Sequence, residues 1–106
     1  MKIYGIKNCD KIKKTILWCA KNQRKCFFHD YRVDGIDTDL VQQFLTHFSF
    51  DELINKRSTT WRTLSDQQKT NVNADLIMAN PTLIKRPLVE IDGQYFIGYC
   101  PEHWSC

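Results

Sequence analysis

The stretch MKIYGIKNCDKIKKTILWCAKNQRKCFFHDYR, residues 1–32, decides the fold. Its first six residues have the β-branched and aromatic content of a short strand, and KCFFHDYR (25–32) reads as a second strand with a more continuous apolar run. Between them Ile12, Ile16, Cys19 and Ala20 recur at helical spacing, with Lys11, Lys13, Lys14 and Lys21 on the remaining faces. Strand, helix, strand over so short a span implies parallel strands joined by a right-handed crossover, the helix covering one face of the sheet.

Downstream, Asp34-Gly35 marks a turn. DTDLVQQFLTHF (37–48) then places Leu40, Val41, Phe44, Leu45 and Phe48 at helical spacing behind an Asp or Thr cap. Residues 49–81 are polar, punctuated by Ser, Thr and Asn, and predict short helices and loops. RPLVEIDGQYFIGY (86–99) predicts a β-hairpin turning at Asp92-Gly93. The order β-α-β, helices, β-β hairpin fits an α/β fold with a mixed four-stranded sheet, thioredoxin-like, in a single domain over 1–106 with a helical insertion at about 37–80.

With 106 residues, 42% hydrophobic and 25% charged, the chain has room for one ordinary domain and the balance of a globular protein. No apolar run approaches the length of a membrane span, and the N-terminal apolar stretch is too short for a secretory signal, so a cytoplasmic protein without membrane partners is expected. The five cysteines are Cys9, Cys19, Cys26, Cys100 and Cys106, an odd number that suits reduced thiols better than a disulfide framework. The net charge of +3 points to small anionic ligands. Direct nucleic-acid binding is disfavoured, because a lysine-rich helix face is usually only solvated.

Cys9 stands where the first strand gives way to the helix. With Asn8 as N-cap and Cys9 as first helical residue, the thiol lies beside unpaired backbone N–H groups and the positive end of the helix dipole, which favour the thiolate. Lys7 and Lys11 add to that effect and Asp10 opposes it. Three residues after Cys9 comes Ile12, so the turn has no Cys-x-x-Cys pair, and a reductive cycle needs a second thiol from glutathione, a partner protein, or a distant cysteine such as Cys100 or Cys106. Cys19 and Cys26 read as small core fillers, and His29 and His47 as structural or exposed. In the tail, Cys100, His103 and Cys106 have soft-ligand character, but their number and spacing do not match a zinc site. On its own LIKRPLV (83–89) reads as a solvated Arg86 and a Pro87 that opens a strand.

Four blocks, YGIKNCDKIKK (4–14), HDYRVDGID (29–37), NKRSTTWRTL (55–64) and LIKRPLVEIDG (83–93), closely resemble the ArsC/Spx family of arsenate reductase related proteins, in particular its YffB-like subgroup. The resemblance covers nearly the whole chain in order. It implies that Cys9 is the nucleophile, that Pro87 is cis and faces it, and that Arg86 reaches a bound anion. It also implies an anion-binding residue among Asn55, Lys56 and Arg57, of which Arg57 is the choice here, with Lys7 and Lys11 as further cations. A third family arginine would fall near Gly98 and Tyr99 and is missing, which weakens the case for doubly charged oxyanions. The family continues into a terminal helix, whereas this chain ends soon after the hairpin. The implied activity is a glutathione-dependent thiol or oxyanion reductase with no bound cofactor, using glutathione or a glutaredoxin-like reductant on a small anionic or disulfide substrate, as a monomer. The alternative is an Spx-like module that contacts RNA polymerase without catalysis.

Overall fold

The computed structural model describes residues 1–7 and 9–104. In chain order the elements are β1 (Lys2–Gly5), α1 (Asp10–Lys21), β2 (Phe27–Asp30), α2 (Thr38–His47), α3 (Phe50–Leu53), α4 (Thr59–Thr63), α5 (Asp66–Thr70), α6 (Ala74–Ala79), a 3-10 turn (Pro81–Leu83), β3 (Leu88–Ile91), β4 (Gln94–Ile97) and α7 (Pro101–Trp104). The chain falls into two compact units, residues 1–35 with the chain from Arg86 onward, and residues 36–85. No helix among the described residues is long and apolar enough to cross a membrane.

The first unit holds the expected mixed sheet, in the order β2-β1-β3-β4. β1 runs parallel to β2, pairing Lys2 with Phe27 and Gly5 with Asp30, and antiparallel to β3, pairing Tyr4 with Leu88. β3 and β4 pair antiparallel around Asp92 and Gly93, whose φ values of 49° and 81° are the two positive torsions that a tight hairpin turn requires. This is a thioredoxin-like α/β arrangement.

α1 lies on the face of the sheet that carries Ile3. Its buried residues are Ile12, Thr15 and Cys19, whereas Ile16 is 39% exposed and Ala20 is also exposed. The apolar stripe is therefore rotated from the expected one. Thr15 occupies the inner face because its hydroxyl donates to Lys11 O at 2.7 Å, so only its methyl meets the core as an apolar group. Gly5 lets the helix approach: a Cβ there would overlap the Ile12 side chain. Val89, Ile91 and Trp104 form a second cluster, with Met1 and Trp18 packed against both. Trp104 is fully buried and meets Trp18 edge-on at 5.3 Å, so the short tail does end in a helical turn, α7, that closes this core.

The second unit is built from short helices with side-chain caps. Asp37 accepts from Leu40 N–H at 2.8 Å at the head of α2, and Ser49 and Ser65 form reciprocal capping boxes with Glu52 and Gln68. Helices this short are marginal in isolation, so packing must hold them. Val41, Phe44, Leu53, Ile54, Ile77, Leu83 and Ile84 supply a core that is almost wholly excluded from solvent. A short antiparallel pairing of Ile54 with Ile84 ties the ends together, with Asn55 N–H donating to Leu83 O at 2.7 Å and Lys85 N–H to Leu53 O at 2.9 Å.

Candidate active site

The register of the sheet determines which loops share an end. β1 and β2 are parallel and β3 is antiparallel to both, so the C-terminal ends of β1 and β2 lie beside the N-terminal end of β3. That end collects the loop with Lys7 and Cys9, the turn after Asp30, and the Arg86-Pro87 step. Cys9 is half-buried and is itself the N-cap of α1, with extended torsions of φ −106° and ψ 130°. The helix thus begins one residue later than expected, and the expected cap, Asn8, lies outside the described residues. Cys9 O accepts from Lys13 N–H at 3.0 Å, whereas its side chain makes no capping hydrogen bond. Among the described residues no side chain caps the first-turn amides of α1, and the thiol stands next to them.

Lys7 is exposed, and its backbone N–H donates to Asp30 Oδ2 at 3.2 Å. Asp30 is only 6% exposed; its other oxygen accepts from Arg32 N–H at 2.8 Å. This carboxylate therefore ties the loop before Cys9 to the end of β2. Nothing in the pattern of HDYR singled it out; a buried carboxylate at a strand end is indistinguishable, in sequence, from a solvated turn residue. Lys11, the second residue of α1, is exposed beside the same helix end.

The Arg86-Pro87 bond is cis. Pro87 is buried, and its carbonyl accepts from Gly98 N–H at 2.9 Å, so the hairpin end secures it. Arg86 is half-buried; its Cγ would lie 3.8 Å from a Cβ at Gly5, and its guanidinium acts electrostatically on the Tyr31 phenol. Burial, then Tyr4, push the Tyr31 hydroxyl far up from its ordinary range, and Arg86 partly offsets this. Tyr31 stays a neutral phenol next to the cation.

Arg57 belongs to the second unit. It is exposed, on the loop between α3 and α4, with its backbone N–H held by Asn55 Oδ1 at 3.0 Å. Of the three residues the family match left open, Asn55 serves as this backbone brace and Lys56 is paired with Asp51 at 2.9 Å, its ammonium also 5.7 Å from the Trp61 ring centre. Arg57 takes part in no salt bridge among the described residues.

Where the third arginine would fall, Gly98 has φ 86° and Tyr99 turns an exposed ring edge-on to Trp104 at 5.4 Å. Cys100 donates to Gly98 O at 3.3 Å, and burial, then Glu102, push its thiol up, with Trp104 working in the opposite direction. It is held as a thiol. Cys106, the other distant candidate and the last of the three tail ligands, lies outside the described residues.

The turn that carries Cys9 and the cis Arg86-Pro87 step thus lie at one end of the sheet. A model of the ArsC family matches residues 4–105. The chain belongs to the ArsC family. An uncharacterised protein of Haemophilus influenzae is 46% identical over 101 residues, covering 92% of this chain and 89% of the relative. Among solved structures, a YffB protein is 32% identical with a TM-score of 0.89, covering 97% of this chain and 94% of the other. An arsenate reductase related protein from Brucella melitensis is 36% identical with a TM-score of 0.79, covering 97% and 89%. An arsenate reductase from Vibrio cholerae, 18% identical with a TM-score of 0.74, shares this family fold.

Proposed function

We propose that this ArsC-family protein is a glutathione-dependent reductase of thiol-bound or oxyanion substrates, with Cys9 as nucleophile. The observation that carries this reading is the end of the sheet where Cys9 precedes the amide-rich start of α1 and the Arg86-Pro87 step enters β3, with fully buried Ile12 where a dithiol enzyme would keep its second cysteine. On a mixed disulfide of glutathione, the Cys9 thiolate attacks the glutathione sulfur and expels the other thiolate. A second glutathione then attacks the Cys9 adduct, releasing oxidised glutathione and the Cys9 thiolate, because no thiol of this turn can. On an oxyanion, Cys9 displaces a hydroxide as water, one glutathione attacks the Cys9 sulfur and expels the reduced oxyanion, and a second glutathione frees Cys9 as oxidised glutathione forms. The α1 amides, Lys7, Lys11 and Arg86 neutralise an anionic ligand or the carboxylates of glutathione. The neutral groups at Gly98 and Tyr99 favour disulfide or singly charged substrates over arsenate. The reaction suits the cytoplasm, where glutathione is kept reduced.

The test is selective alkylation of Cys9, followed by assay with glutathione against a small mixed disulfide and against arsenate. Cys9→Ser is expected to lose turnover by at least the 10²–10⁴-fold that positioned catalytic groups supply, roughly to background. Turnover surviving in Cys9→Ser rejects Cys9 as the nucleophile, whereas no turnover in the wild-type chain rejects the reductase reading and leaves the polymerase-binding module, which a pull-down with RNA polymerase tests directly.

A further inference from the structure

At the other end of the sheet, where β1 and β2 begin, the chain brings three sulfurs together. α1 ends at Lys21 and the backbone doubles back at once, Arg24 N–H donating to Cys19 O at 2.8 Å and Phe27 N–H to Met1 O at 2.9 Å. These two bonds draw the last turn of α1, the segment 24–27 and Met1 to one place. Cys19 Sγ donates to Met1 Sδ at 3.7 Å, and the Cys26 thiol acts on it electrostatically. Cys26 and Met1 both pack on the cluster of Ile3, Ile12 and Cys19.

The two thiols differ in access. Cys19 is 1% exposed and no solute reaches it directly, whereas Cys26 is half-buried. Lys25 precedes Cys26 and Lys2 stands opposite Phe27 in the sheet; both are exposed cations suited to a carboxylate-bearing reagent. Helical rise places Cys19 about 15 Å along α1 from Cys9, too far for direct exchange within one chain.

We propose that Cys19 and Cys26 form a second redox site, a dithiol that a low-molecular-weight disulfide such as oxidised glutathione converts to an intramolecular disulfide. The Cys26 thiolate attacks one sulfur of the reagent, forming a mixed disulfide and expelling one thiolate, which takes up the proton that Cys26 released. Cys19 then attacks the Cys26 sulfur, its proton passing to the second thiolate as that leaves. Two cysteine thiols have become one disulfide and one reagent disulfide has become two thiols, so electrons and protons balance. The bond ties the last turn of α1 to the entry of β2. It does not depend on the function proposed for Cys9.

The experiment uses the full chain with Cys9, Cys100 and Cys106 replaced by Ser, treated with oxidised glutathione under native conditions. Intact mass and peptide mapping are expected to show loss of two hydrogens, a Cys19–Cys26 cross-link and no remaining free thiol, all reversed by a reductant. Adding Cys19→Ala to this background is expected to leave a persistent glutathione adduct on Cys26. A persistent adduct on Cys26 while Cys19 is still present, two unmodified thiols, or a cross-link formed only in denaturant would each overturn the proposal.

Discussion

Asp30 and Cys19 show what single side chains contribute that residue type does not announce. The Asp30 carboxylate is buried to satisfy two backbone N–H groups, those of Lys7 and Arg32, and so holds the approach to Cys9 against the end of β2. Hydrogen bonds to a charged group are worth about 1.5–3 kcal/mol each, and their loss would free that loop. Asp30→Ala is expected to lower stability by about 2–4 kcal/mol in denaturant unfolding and to slow Cys9 alkylation relative to wild type; an unchanged unfolding midpoint would show that the loop holds itself. Cys19 sets a pH dependence. Burial, then the neighbouring Cys26 thiol, push its thiol from 9.0 up to about 11. The native state therefore keeps a proton that the unfolded chain releases first, so this group costs nothing below pH 9 and stability falls as pH rises from 9.0 towards about 11. Tyr4 is also shifted upward, by burial and then Glu90, so the difference between wild type and Cys19→Ala isolates the thiol. The expected outcome is a shallower alkaline loss in the variant, measured by chemical unfolding from pH 8 to pH 11.

At the scale of elements, α1 is the part that most depends on its neighbours. Its 12 residues are Lys-rich and amphipathic, and the helix was plain from the spacing of Ile12 and Cys19. Which stripe faces inward was not, because a Thr that bonds back to Lys11 O is as good an inner residue as an Ile left 39% exposed. The close approach of α1 to β1 rests on Gly5, and a methyl there must push Ile12 outward. Gly5→Ala is expected to cost about 1–3 kcal/mol, the usual range for overpacking, and to shift α1 together with Cys9 at its head. Thermal melting joined to a Cys9 alkylation rate checks it: loss of stability with unaltered Cys9 reactivity would separate helix position from the site. The β3-β4 turn needed no such help, since Asp92-Gly93 carries the required torsions within two residues.

At the scale of the whole molecule, α7 has an importance out of proportion to its four residues. Trp104 is fully buried against Trp18 and Tyr99, and its carbonyl accepts from the Arg24 guanidinium, joining chain positions far apart. Trp104→Ala is expected to lower stability by about 3–5 kcal/mol in denaturant unfolding, whereas a value under about 1 kcal/mol would mean the tail is only laid on the surface.

The sequence by itself determined the order of elements, the mixed sheet and its hairpin, and, through the resemblance of its four blocks, the family and the expectation that Cys9, Arg86 and Pro87 share a site. The elements follow from local periodicity and turn chemistry, the family from the blocks and their order, and none needs a distance between remote residues. The tertiary structure alone decided that Asp30 holds the Cys9 loop, that α1 turns Thr15 inward, that Trp104 closes the core, and that Cys19 meets Cys26 and Met1. These are contacts across elements, set by how far a helix slides and rotates on a sheet, and cysteine or threonine fits an interior and a surface almost equally well until that placement is known.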